Sequence, residues 1–212
     1  MLSHLFKNET KGQLFFIFVS KIWMNVWLFL IGCKPKIHGR AHFHKNKHYI
    51  VVFNHNALLD IPLSAPYVPG ANKTIGKASF AKVPLFGLFY KRGAILIDRK
   101  NERSRMKSYE EMKNVLLSGM HMCIYPEGTR NRTNVPLKPF FDGAFKLAVE
   151  TQTEIIPCII TGTKTAMPIH QFLYLMPTPL TMTFLPPVSP KNLDAKSLNK
   201  IVYDIMTNEL MK

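Results

Sequence analysis

Acidic side chains are scarce in this chain: 13 Asp and Glu stand against 28 Lys and Arg in 212 residues, a formal charge of +15 with the histidines neutral. Cysteine is rarer still. Cys33, Cys123 and Cys158 are odd in number, far apart and without metal-type spacing. That excludes a disulfide framework and fits buried free thiols in a reducing compartment. Low-complexity tracts, collagen-like periods and internal repeats are also missing. Apolar residues, in contrast, make up 47%, enough for a real core and too many for a disordered tail protein. The length fits one ordinary domain with a short appendage.

The positive charge is one-sided. Residues 1–110 hold 18 basic and 5 acidic side chains, whereas residues 111–212 hold 10 and 8. Five of the eight histidines (His4, His38, His42, His44, His48) also fall in the first 50 residues. Such a field points to an anionic partner, whether nucleic acid, a membrane surface or a phosphorylated small molecule.

One long apolar run stands out. Residues 14–31 (LFFIFVSKIWMNVWLFLI) contain 15 apolar side chains and both tryptophans, Trp23 and Trp27. As a helix the run is about 27 Å long, slightly short of a hydrocarbon core of about 30 Å. Lys21 lies near its middle, with Asn25 on the same face, and a charge at that depth is costly in a single span. The pattern therefore predicts an interfacial membrane-docking helix over residues 1–34, with Lys7, Lys11, Lys34 and Lys36 near headgroups. A core helix of a soluble protein is the bland alternative. Lys21 and the lack of a small-x-small cleavage site argue against a secretory signal. Leu30-Ile31-Gly32-Cys33 has the look of a lipoprotein processing box but sits late, behind a broken run.

After Pro35 the pattern changes to short apolar or alternating runs: residues 49–53 (YIVVF), 94–97 (AILI), 122–125 (MCIY), 155–160 (IIPCII) and 180–185 (LTMTFL). They read as strands. Helical candidates lie between them at 58–65, 83–90, 102–117, 144–151 and 195–210. The alternation predicts an α/β domain over 35–212 with a largely buried sheet; the expected fold is a central mixed sheet flanked by helices. Pro157 inside a strand predicts a bulge or an edge. The region of His42 and His44 reads as a solvated basic strand with both side chains on one face; no carboxylate or cysteine completes a tetrahedral metal set there.

Polar groups follow directly on three of the apolar runs. The first strand enters Asn54-His55-Asn56-Ala57-Leu58-Leu59-Asp60. On one continuous helix His55 and Asp60 lie about 140° apart and cannot meet. With His55 in a turn and Asp60 in the first turn of the next helix, the carboxylate can accept from one ring nitrogen and leave the other basic. No Ser, Cys or Thr lies between them, so the pair suits a general base acting on a substrate hydroxyl. A strand-end histidine bonded to its own loop, with Asp60 as a helix cap, fits the same spacing. A second strand ends in Asp98-Arg99, where Arg99 offers a fork for phosphate or carboxylate, or simply opens a solvated helix start. The third runs into Tyr125-Pro126-Glu127-Gly128-Thr129-Arg130. Gly128 permits close backbone approach to a ligand, Thr129 and Arg130 suit a phosphate oxygen, and Glu127 could hold the arginine. Three polar strand ends in succession favour one site with a base and two phosphate-binding arginines.

These blocks carry a resemblance. NHNALLD (54–60), GAILIDR (93–99), YPEGTR (125–130) and IIPCIITGT (155–163) match in order those of the 1-acyl-sn-glycerol-3-phosphate acyltransferases, the lysophospholipid acyltransferase family. The similarity covers roughly residues 35–190 and includes the apolar segment before the domain. It implies a glycerolipid acyltransferase-like fold, with His55 as base held by Asp60. It also implies an acceptor phosphate bound by Lys77, Arg99, Glu127, Gly128, Thr129 and Arg130, and Pro157 by the acyl or acyl-carrier path. The family's first block more often reads Asn-His-Gln-Ser, where this chain has Asn56 and Ala57. The implied reaction moves an acyl group from a thioester, acyl-CoA or acyl carrier protein, to a lysophospholipid hydroxyl, with no metal or further cofactor. The implied partners are the bilayer, the lysolipid and the donor, and the implied location is the cytoplasmic face of a membrane. Nucleic acid becomes the weaker partner, since the aromatics cluster with aliphatics instead of interleaving with basic residues. An acyltransferase for another lysolipid, such as a lyso-aminolipid, and a non-catalytic basic membrane-binding protein are the competing expectations.

Overall fold

The structure is a computed structural model and describes residues 8–84, 86–171 and 174–212. His4 and Lys7 of the basic N-terminal region lie outside the described residues, as does Leu85 of the expected helix 83–90. Among the described residues, seven strands form one sheet: β1 (Pro35–His38), β2 (Ile50–Phe53), β3 (Asn72–Lys77), β4 (Ala94–Ile97), β5 (His121–Ile124), β6 (Ile155–Thr161) and β7 (Leu180–Phe184). Their spatial order is β1-β7-β6-β2-β5-β3-β4. Neighbours are parallel except β6 and β7, which pair antiparallel. The sheet is mixed, as expected: the alternation accounts for the parallel pairs, and β6–β7 is the antiparallel one.

Helices cover both faces, and this explains why the central strands are apolar throughout. On one face α4 (Glu102–Leu117), α5 (Gly143–Thr151) and α7 (Ala195–Leu210) bury Met112, Leu116, Phe145, Leu147, Val202 and Met206 against Ile50, Val52 and Met122. On the other, α1 (Glu9–Leu30) and the segment after β2 bury Met24, Leu28, Leu63 and Tyr67 against Val51, Phe53 and Ile156. The strict alternation within β2 thus divides two cores. The short helices α2 (Asp60–Ser64), α3 (Phe86–Gly93) and α6 (Thr163–Ala166) complete the framework.

The sequence reading misses β1 and β3. β3 (NKTIGK) has few apolar side chains because its buried positions are polar or small: Asn72 and Thr74 are buried, and a Cβ at Gly76 would meet the Tyr90 hydroxyl. The expected strand through His42 and His44 is absent. Arg40–His42 is instead a 3-10 turn. Gly39 breaks the strand at φ +75, and a Cβ there would lie 2.0 Å from the Phe184 carbonyl oxygen. Pro157 does mark a bulge. Three steps from Ile155 to Cys158 face four steps from Val188 to Phe184, and the Pro157 carbonyl accepts from Leu185 N at 2.8 Å. The missing proline donor faces this irregularity, so the ladder to β2 continues past it. β6 is accordingly an interior strand.

α1 is capped by Asn8, whose side chain accepts from Lys11 N at 3.0 Å. Its packed stripe repeats every four residues through Gly12, Phe16, Ser20, Met24 and Leu28. The opposite face is apolar but bare: Phe18, Trp23, Phe29 and Leu30 are 60%, 67%, 82% and 76% exposed. With a mean hydropathy of 1.6 over its apolar window, the helix is long and apolar enough to cross a membrane.

His121 illustrates a buried histidine with a structural role. Its Nδ1 accepts from Tyr49 N at 3.0 Å, and its ring stacks on Tyr49 and meets the edge of Phe43. Burial, helped by nearby His48, pushes its pKa down to about 4. The unfolded value is about 6.5, so the stabilisation is complete above that pH and is lost as pH falls from 6.5 towards 4, by at most about 3 kcal/mol. Urea unfolding at pH 7 and pH 4.5 should show a loss of stability that His121→Gln reduces by a matching amount; an identical pH slope in the variant contradicts this role.

Candidate active site

β6, β2, β5, β3 and β4 run parallel, so their carboxyl ends share one edge of the sheet, the edge where such folds place ligands. β2 is ended by Asn54. Its buried amide donates to Ile160 O at 2.8 Å and accepts from Ile160 N at 2.7 Å. The side chain thus mimics a peptide unit on β6 and anchors the loop that follows.

That loop carries His55. Its Nδ1 lies 2.8 Å from Asp60 Oδ2, with the His55 side chain 12% exposed and Asp60 wholly buried. The same oxygen accepts from Asn56 N at 2.5 Å and Ala57 N at 2.8 Å. A carboxylate held this way accepts a hydrogen bond from Nδ1–H, keeps the ring proton on that nitrogen and leaves Nε2 as the ring acceptor. Asp60 opens α2, so the turn-plus-helix arrangement expected from the spacing is the one observed. The His55 ring lies against Tyr125, with centroids 4.6 Å apart. The Tyr125 hydroxyl shares a hydrogen bond with Ser64 Oγ at 2.6 Å, and Ser64 Oγ also lies at 3.2 Å from Ile61 O. Burial raises the Tyr125 phenol well above its usual value, so it stays neutral and serves as a wall.

β5 ends beside β2 and delivers the turn at 125–130. Gly128 has φ +71; a Cβ there would strike the Phe141 ring at 2.7 Å and lie 3.5 Å from Arg99 Nη1. The Arg99 guanidinium therefore reaches the backbone of this turn, although β4 stands three strand spacings, ~14 Å, from β2. Lys77 ends β3, paired in register with Ile97. It is exposed, and its backbone bonds the hydroxyl of the buried Tyr90. Thr129 is exposed and Arg130 half-buried in the same turn.

Glu127 is the exception among the residues assigned to a phosphate. It is 1% exposed, and its two oxygens accept from His55 N at 2.7 Å and Lys138 N at 3.1 Å. Burial raises its pKa against the opposing pull of those two bonds. A buried carboxylate committed to backbone amides is a clamp, and its charge would repel a phosphate. The His55 carbonyl in turn accepts from Asn131 N at 2.6 Å. Pro157 is buried in β6 opposite Val52. Sequence reasoning assigns no role to Asn54, Asn131 and Lys138, because their partners are backbone groups and loop residues that spacing does not reveal. Lys138 Nζ donates to Thr129 Oγ1 at 2.6 Å. Among the described residues, no three or more His, Cys, Asp or Glu side chains gather as for a metal.

A histidine braced by a buried aspartate, with cations on the neighbouring strand ends, has the chemistry suited to proton abstraction beside an anionic group. The family model described as Acyltransferase matches residues 34–161, and the chain belongs to that family. It is 31% identical over 159 residues to the 1-acyl-sn-glycerol-3-phosphate acyltransferase of Cocos nucifera, covering 74% of this chain and 51% of that protein. It is 31% identical over 167 residues to the mouse (Mus musculus) 1-acyl-sn-glycerol-3-phosphate acyltransferase alpha, covering 78% and 58%. The chain thus spans about half the length of these curated relatives. The crystal structure of the 1-acyl-sn-glycerophosphate (LPA) acyltransferase PlsC from Thermotoga maritima shares the fold, with a TM-score of 0.83 at 22% identity over 99% of this chain and 84% of that one.

Proposed function

We propose that the protein transfers a fatty acyl group from an acyl thioester to the free hydroxyl of 1-acyl-sn-glycerol 3-phosphate, giving phosphatidic acid. The observation that carries this reading is the 2.8 Å bond from His55 Nδ1 to the buried Asp60 carboxylate, at the sheet edge that also presents Lys77, Arg99 and Arg130. His55 Nε2 takes the acceptor's hydroxyl proton as the oxygen attacks the thioester carbonyl. The tetrahedral adduct collapses, the C–S bond breaks, and the thiolate leaves with the proton returned from the imidazolium. The acceptor's phosphate sits between Arg99 and the Gly128-Thr129-Arg130 turn, with Lys77 at its border. The donor is acyl-CoA or acyl carrier protein. The chemistry draws on no further cofactor.

The acceptor is a membrane lipid, and the molecule carries a surface to reach it. The packed stripe of α1 meets α3 through the Phe16–Phe89 ring contact, and Phe80, Val83, Phe86 and Leu88 on and before α3 add exposed apolar area to that of the bare face. A patch of this kind docks on a bilayer, and each nearby Lys or Arg adds about 1 kcal/mol on an anionic leaflet. A cytosolic thioester donor places the active edge on the cytoplasmic side.

An acceptor panel tests the reading. Purified protein with palmitoyl-CoA should acylate lysophosphatidate with a kcat/KM at least about tenfold above that for lysophosphatidylcholine, monoacylglycerol or a lyso-aminolipid. Equal rates on a phosphate-free acceptor contradict the assignment of the cations, and no acylation of any acceptor contradicts the reaction.

A further inference from the structure

Lys138 is nine residues beyond Thr129 in a loop without regular structure, yet it is positioned with care. Its neighbour Leu137 is 2% exposed and anchors the loop in the core. Its backbone N–H is held at 3.1 Å by Glu127 Oε2, the partner of the oxygen that holds His55 N. One buried carboxylate therefore sets both the base and this lysine. Lys138 is half-buried as a residue, and its ammonium emerges at the surface to donate to Thr129 Oγ1 at 2.6 Å. Among the described residues no carboxylate lies within ion-pair distance of it.

A threonine hydroxyl has one proton to give and lone pairs to offer. With an ammonium filling one lone pair, its own O–H is turned away from the lysine and strengthened as a donor. Arg99 approaches the same turn at Gly128, and Arg130 follows Thr129. The turn is thus ringed by cations, while the only carboxylate within it, Glu127, has both oxygens committed to backbone amides. A dianionic phosphate monoester balances that excess; a neutral headgroup does not.

We propose that Lys138 is a specificity-determining ligand for the acceptor's phosphate, and that it commits the Thr129 hydroxyl to donate to the same group. The inference rests on the acyl-acceptor reading above and adds a residue outside the motif blocks. Substituting Lys138→Met should raise KM for lysophosphatidate about tenfold or more, with kcat within about twofold and turnover of monoacylglycerol unchanged. Lys138→Arg should recover most of the loss, since a guanidinium can serve both oxygens. Thr129→Val should add little to Lys138→Met, because the two act as one unit. Equilibrium binding of short-chain lysophosphatidate by calorimetry separates this from the reaction itself: the Met variant should bind about tenfold more weakly than the wild type. If the wild type binds this lipid but acylates nothing, the reaction fails and the ligand role stands. Unchanged binding in Lys138→Met, or an equal loss on both acceptors, overturns the role.

Discussion

Replacing His55 with alanine should lower kcat about 10³-fold, within the 10²–10⁴ range of a positioned general base, while the protein melts close to the wild-type temperature. The two halves of that expectation come from different atoms. The imidazole supplies the base, and among the described residues its side-chain hydrogen bond runs to Asp60 alone. The loop is held by other groups: His55 N on Glu127, His55 O on Asn131, and the Asn54 amide on Ile160. Asp60 keeps two backbone donors, Asn56 N and Ala57 N, so its carboxylate is not left bare when the ring goes. Removing an ordinary paired buried charge costs several kcal/mol because the partner is stranded; here the partner is not stranded. Kinetics beside a thermal melt check both halves. A variant that retains a tenth of the activity assigns the proton transfer elsewhere.

Glu127→Ala should behave in the opposite way, losing stability and activity together. The substitution leaves two part-buried backbone N–H groups without their acceptor, each worth up to about 1–3 kcal/mol. A combined loss of about 3 kcal/mol lowers Tm by roughly 10 °C in a domain of this size. Activity should fall at least 100-fold, because a misplacement of about 1 Å at a catalytic group has that effect and the same carboxylate sets both His55 and Lys138. Glu127→Gln retains one carbonyl oxygen, so it should keep one of the two bonds and fall between. A residue that merely paired with Arg130 on the surface would give an alanine variant with an unchanged Tm.

Glu127 also shows where sequence reasoning reaches its limit. The apolar runs, the helix spacing and the polar strand ends are visible in the chain, because burial on both faces demands unbroken apolar strands and the carboxyl edge is where they stop. His55 and Asp60 follow from the same logic: their five-residue spacing admits few geometries, and the observed turn and helix start is one of them. Glu127, by contrast, sits between Pro126 and Gly128 with Arg130 three residues on, and any glutamate there reads as an ion-pair partner. That its oxygens meet two backbone amides from distant loops leaves no mark on composition or spacing. Asn54, Asn131 and Lys138 are obscured for the same reason. β3 carries no strand signal because Asn72, Thr74 and Gly76 fill its buried side, where alternation of apolar residues is the expected signal. The histidines near residue 42 show the reverse: their spacing suits a strand, but Gly39 turns the chain first.

The most direct test follows phosphatidic acid by mass spectrometry, with purified wild type and His55→Ala incubated side by side with lysophosphatidate and palmitoyl-CoA. Product that accumulates with the wild type in step with free CoA thiol, and is reduced about 10³-fold in a variant of unchanged Tm, is the predicted result. Wild-type protein that forms no phosphatidic acid, or a His55→Ala protein that forms it as fast, contradicts the account.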